Sequence, residues 1–146
     1  TLQKESLHDY AIENAKREVQ IRIKQSVFRK KVLDNFGNKC CITGVTENEL
    51  LVASHIIPWA AKLDTRLSPH NGLCLSVLYD NLFDKGFFTL SDEGKVIITS
   101  KLGLVSLQLR KWLNEIAEKS ISRPEKYEIS RESLAYHRDT IFDRFL

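Results

Sequence analysis

No methionine occurs anywhere in the 146-residue chain, position 1 included. The expectation is a piece of a longer protein, or a trimmed one, with any partner domain lying outside the sequence. Long apolar runs are also missing. None approaches the roughly 20 residues that span a bilayer, so no membrane partner is expected. Thr1 opens a polar, helix-like segment and not a secretory leader. Cysteine is scarce: Cys40, Cys41 and Cys74 make an odd, unspaced set. That argues against a disulfide framework and for a reducing, cytoplasmic setting. It also argues against a structural zinc site, which usually needs two hooks of paired cysteines. Cys40 and Cys41 are adjacent and would point to opposite faces of a strand, so the three read as small packing residues. No internal repeat and no low-complexity tract is present.

What remains is ordinary for a globular domain with its own core: 42% hydrophobic and 28% charged residues. The charge is unevenly spread. Residues 1–40 hold nine Lys/Arg against five Asp/Glu, whereas residues 41–122 hold eight against nine. The excess, notably Arg22, Lys24, Arg29, Lys30 and Lys31, is compatible with a phosphate-facing surface and equally with a solvated helix face.

From Leu2 to Phe36 there is no Pro or Gly. Leu7, Tyr10, Ala11, Ala15 and Val19 keep helical spacing, and Ser26 either caps a second helix or continues the first. Val27, Phe28, Val32, Leu33 and Phe36 form an apolar stripe that Gly37-Asn38 stops. These helices are expected to pack over the rest of the domain, basic side chains outward. Lys39–Thr43 reads as a short strand turning at Thr43-Gly44 into a second one, Glu49–Ile57, which Pro58 ends. Residues 59–70 form a loop. Gly72–Leu75 is extended, and Ser76 caps a helix that Gly86 closes. Phe87–Leu90 and Lys95–Thr99 make a further hairpin. Leu104–Ala117 is an amphipathic helix with Leu104, Leu107, Trp112, Leu113 and Ile116 largely inward. A last helix, capped by Ser130, runs through Phe145. The domain plan is a helical lead-in (1–36), a ββα core with an extra hairpin (37–102) and C-terminal helices (103–146). The fold class is α+β.

The chemistry concentrates between Ala53 and Gly86. His55 follows an apolar run, Asn71-Gly72 is a turn signal, and Asp80 and Asp84 stand four apart. On a helix that spacing projects both carboxylates from one face. Hydrolysis of a phosphodiester needs a base for water, a cation for the developing charge, and rigid placement. A histidine titrating near neutrality suits the first task, and carboxylates suit the second if the ion is Mg²⁺ or Mn²⁺.

The motifs Cys41-Ile42-Thr43-Gly44, Ala53-Ser54-His55-Ile56-Ile57-Pro58-Trp59, Asn71-Gly72-Leu73-Cys74-Leu75 and Asp80-Asn81-Leu82-Phe83-Asp84-Lys85-Gly86 resemble the HNH endonucleases, the ββα-metal fold. They resemble most the branch common in restriction and other defence nucleases. Gln25–Arg29 and Leu134–Arg138 resemble its flanking segments, so the likeness spans roughly residues 20–146. The resemblance implies His55 as general base, Asn71 as the brace of the loop that orients it, and Asp80 as a metal ligand. Asp84 is implied as a second acid, at a position some relatives use for metal. One ion per site, Mg²⁺, Mn²⁺ or another divalent cation, is expected, with double-stranded DNA as substrate. Lys62 and Arg66 on the loop, with Arg29 and Lys30 on the lead-in helix, are candidates for phosphate contact. His70 is a weaker candidate; His8 and His137 are read as structural or solvated, and Trp59 as packing. Many members carry Asp or His before the base, and here that position is Ser54. The alternatives are a non-cutting nucleic-acid-binding module of the same fold and, less favoured, a zinc-binding interaction module. A homodimer and an additional recognition or sensor domain are compatible with the sequence.

Overall fold

The computed structural model describes residues 2–145, and the side chains of residues 6–145. The chain opens with one continuous helix, α1, Leu2–Asn35. Ser26 therefore continues the first helix and caps nothing. At 1.5 Å per residue α1 is about 50 Å long, and only its last third is packed. Phe28, Val32, Leu33 and Phe36 are buried, whereas Leu7, Tyr10, Val19 and Ile23 stay at least half exposed. The expectation that the whole lead-in packs over the domain is thus corrected. Its apolar residues are spread around the helix, and only the Phe28–Phe36 stripe meets a complementary face. The end of α1 is held by buried Asn35. Its carboxamide donates to Tyr127 O (2.8 Å) and accepts from the backbone N–H groups of Lys126 and Tyr127.

Residues 39–43 do not form a strand. They wrap into a knuckle in which Gly44 N–H reaches Cys40 O and Cys40 N–H reaches Val45 O, both at 2.9 Å. Thr43 N–H donates to Cys40 Sγ at 3.4 Å. Cys40, Cys41 and Ile42 are buried as a turn. A short apolar run alone does not distinguish a strand from a buried turn. The pairing partner of β1 (Leu51–His55) is instead β2 (Gly72–Ser76), antiparallel, with His55 opposite Gly72 and Ser54 opposite Leu73. Residues 56–71 form the long connection. α2 (Val77–Asp84) follows directly from β2. Ser76 occupies its N-cap position without a side-chain capping bond. α1 and α2 both pack on the hairpin, completing the ββα unit.

Gly72 makes that packing possible. A Cβ there would collide with Val32 and press on Phe28, so the glycine is what lets α1 close on the sheet. β3 (Phe88–Leu90) and β4 (Val96–Ile98) form the second hairpin. α3 spans Leu107–Ile116, capped by Ser106, whose hydroxyl accepts from Leu109 N–H. Leu104 and Leu107 are exposed, contrary to expectation, because the helix starts three residues late; Leu113 and Ile116 carry its core face.

α4 is short, Arg131–Tyr136, and continues as a π-turn, His137–Ile141. The expected helix through Phe145 stops there for a tertiary reason. Asp143 N–H bonds to Gly86 O at 2.9 Å, and its carboxylate accepts from the Thr99 and Ser100 hydroxyls. The wider turn seats His137 in the core, stacked on Phe83 with centroids 3.7 Å apart. One buried cluster links Phe28 of α1, both hairpins, α2, α3 and Leu134 of α4. Among the described residues no helix is long and apolar enough to cross a membrane.

Candidate active site

His55 is the last residue of β1 and half-buried. Its ring stacks on Phe28 of α1 (4.2 Å between centroids, 14° between planes) and meets the edge of Trp59 at 5.7 Å. Nε2 lies 2.8 Å from the Arg66 carbonyl. A carbonyl only accepts, so Nε2 carries the proton and Nδ1 keeps its lone pair. Burial holds the imidazole below its usual pKa, opposed by the Arg66 carbonyl and by the charge of Asp80. Burial thus favours the neutral ring, with one nitrogen free to take a proton.

The loop that supplies this carbonyl is tied by Asn71. That side chain, 1% exposed, accepts from Ile57 N–H at 2.8 Å and donates to Ile57 O at 3.1 Å; its reach to Thr65 O is a marginal 3.5 Å. Ile56 N–H adds a bond to Asn71 O. Asn71 thus closes the 56–71 loop at its base, and the loop in turn orients His55.

Asp80 and Asp84 sit one turn apart on α2. Asp80 is half-buried, and burial raises its carboxyl, opposed by the Ser54 hydroxyl and by His55. Asp84 reaches the surface, yet its carboxyl is pushed up to about 7, chiefly by lost hydration and then by the charge of Asp80. The charge of Asp80 thus weighs on Asp84, a crowding of negative charge that a cation would relieve. Ser54, on β1 beside them, is 2% exposed, and its Oγ has no hydrogen-bond partner among the described residues. It is near enough to Asp80 to lower that carboxyl but makes no closed bond. Two carboxylates and an orphan hydroxyl are oxygen donors of the kind a hard cation that keeps water would take, while no group of three His, Cys, Asp or Glu able to hold a metal occurs among the described residues.

Of the phosphate candidates, Arg66 lies at the site. Its Nε donates to Trp59 O at 2.6 Å and its guanidinium stacks on Trp59 at 4.8 Å, beside His55. Lys62 pairs with Glu132 of α4 at 3.0 Å, both exposed. Arg29 is bonded to the Leu51 and Asn48 carbonyls, at 2.7 and 3.2 Å, and so anchors α1 to the start of β1. Lys30 is exposed and about 200° around α1 from Phe28 at ~100° per residue, hence on the far side from His55. His70 Nδ1–H donates to Glu128 O (2.6 Å) and holds the 125–130 segment. His137 is buried: Nε2–H donates to Phe83 O, and Nδ1 accepts from the Thr89 hydroxyl. The three cysteines are free and buried. The sequence offered no sign that Phe28, read as one of a packing stripe, would be the stacking partner of His55, nor that the Arg66 backbone would set its tautomer.

Residues 40–91 match the family model described as HNH endonuclease. The fold is the α+β, ββα-metal arrangement. A solved structure described as the modification dependent TagI restriction endonuclease superposes with a TM-score of 0.55 at 20% identity. The match covers 77% of this chain and 36% of that one, so the chain spans little more than a third of its neighbour's length. Among curated proteins none matches. The HNH-matched segment holds His55, Asn71, Asp80 and Asp84, and it excludes α1 and the C-terminal helices.

Proposed function

We propose that the chain is the nuclease domain of a divalent-metal-dependent endonuclease that hydrolyses DNA phosphodiester bonds, in restriction or related defence. The observation that carries this reading is the placement of His55: half-buried, its Nε2–H spent on the Arg66 carbonyl, Nδ1 left free. In the proposed reaction Nδ1 removes a proton from the attacking water while the Phe28 stack and the Asn71-tied loop keep the ring from turning. Asp80 and Asp84 would hold one Mg²⁺ or Mn²⁺, which when bound would supply charge stabilisation on the phosphoryl and leaving oxygens. Arg66 pairs with a phosphate adjacent to the cut, its guanidinium pre-set by Trp59. Lys62 exchanges Glu132 for phosphate, Lys30 adds long-range attraction from the outer face of α1, and Arg29 serves through the packing it secures.

The matched neighbour is described as modification dependent, which favours a separate recognition or sensor domain outside this chain. One ββα site cuts one strand, so a double-strand break would need a homodimer or two visits. The test is nicking of a supercoiled plasmid in Mg²⁺ or Mn²⁺. His55→Ala is expected to lose about 10²–10⁴-fold in rate, and wild-type cleavage by that variant would remove His55 from the base role. A non-cutting DNA-binding module is favoured only if the wild type binds DNA and no divalent ion elicits a nick.

A further inference from the structure

We propose that the Ser54 hydroxyl positions a hydrated divalent cation between Asp80 and Asp84, bonding to a water on the ion and not to the ion itself. The inference rests on the nuclease reading above and deepens its metal site.

Ser54 is 2% exposed and unpartnered among the described residues. Native folds keep few such groups, because a buried hydroxyl without a bond has given up its water for nothing. The position lies in a strand between Ala53 and His55, where an alanine would fit at no such cost. Ser54 and His55, at the end of β1, both lie near enough to Asp80 of α2 to lower its carboxyl. The His55 ring does so while stacked on Phe28 of α1. The hydroxyl therefore stands beside the acidic pair on its Asp80 side.

A serine hydroxyl is neutral and a poor direct ligand, but it can donate and accept together. Mg²⁺ is commonly held by one or two carboxylates and keeps several waters. A water on such an ion would give Ser54 the partner it lacks, while the hydroxyl proton steadies Asp80. The resulting sphere is all oxygen. It favours Mg²⁺ and Mn²⁺ over ions that prefer imidazole or thiolate. The serine that stands where many HNH members carry Asp or His thus becomes a selectivity device.

The probe is Mn²⁺ alone, titrated into the metal-free chain and followed by electron paramagnetic resonance or calorimetry. Melting in EDTA and plasmid nicking are measured in parallel. Ser54→Ala is expected to bind Mn²⁺ about tenfold more weakly while melting in EDTA no lower than wild type. Ser54→Thr, which keeps the hydroxyl, is expected to retain wild-type affinity, and Ser54→Asp, a direct ligand, to bind more tightly. Equal Mn²⁺ affinity in wild type and Ser54→Ala overturns the assignment, as does a Ser54→Ala protein that melts lower with unchanged affinity, which would mark a purely structural serine. If the wild type binds and cuts while Ser54→Ala matches it, only this inference falls. If the wild type neither binds Mn²⁺ nor cuts, the metal-dependent nuclease reading falls with it.

Discussion

Asn71→Ala isolates the link between loop closure and the histidine. The side chain is 1% exposed and makes two good bonds to one residue, from Ile57 N–H at 2.8 Å and to Ile57 O at 3.1 Å. The 3.5 Å approach to Thr65 O is too long to add much. Alanine leaves the Ile57 amide and carbonyl without these partners in a residue that is itself 1% exposed. Each unsatisfied buried group costs about 1–3 kcal/mol. Water entering from the loop surface offsets part, so the loss should be about 2–4 kcal/mol. A domain of this size carries about 5–15 kcal/mol in total, so the variant should remain folded at 25 °C with a lower urea midpoint. The effect on activity should exceed what stability accounts for. The slackened loop carries the Arg66 carbonyl that fixes the His55 ring, and a displacement near 1 Å at the reacting group can cost on the order of 100-fold. Urea denaturation, hydrogen exchange across residues 57–71 and nicking below the unfolding transition make up the assay. Asn71→Asp is the sharper companion: it keeps an acceptor for Ile57 N–H but sets a second oxygen against the Ile57 carbonyl, so it should be no better than alanine. An Asn71→Ala protein within about 0.5 kcal/mol of wild type, nicking at the wild-type rate, would refute the argument.

Gly72→Ala should cost about 1–3 kcal/mol by overpacking and disturb His55 through Phe28, both visible as a lower melting temperature and a slower nicking rate. His137 lies buried with its pKa lowered to about 4, against an unfolded value of 6.5. Its neutral form is the one the fold keeps, so its contribution is complete above pH 6.5 and is lost as pH falls from there to about 4. The loss should be roughly 3 kcal/mol, and replacing His137 by Gln should flatten the pH–stability curve in that window. Asp84 has the opposite sign. Its folded pKa, about 7, exceeds the unfolded value of 3.8, so ionising it burdens the metal-free fold as pH rises through that interval. Asp84→Asn should therefore raise the melting temperature in EDTA and lower Mn²⁺ affinity, measured by thermal scans and titration.

Part of the candidate site's layout could be read before folding because it is local. Asp80 and Asp84 share a helix face by their spacing of four, the Phe28–Phe36 stripe announces a buried helix end, and Ser130 announces the start of α4. The paired strands were misread for a physical reason. Residues 39–43 look extended by composition, but Gly44 closes them into a knuckle, and β1 takes its hydrogen bonds from β2 beyond a long loop. No local pattern records which strand supplies them. The same holds for the C-terminal helix, which ends because Gly86 and Thr99 capture Asp143, and for α1, whose first two-thirds have helical residues but no opposing surface. In the site, residue types named the histidine, the asparagine and the carboxylates. The histidine's free nitrogen was set by the Arg66 carbonyl, its rigidity by Phe28 through the gap left by Gly72, and the isolation of the Ser54 hydroxyl by α2 closing over β1. Those properties are contacts between segments far apart in the chain, and they exist only once the hairpin, the two helices and the loop are packed together.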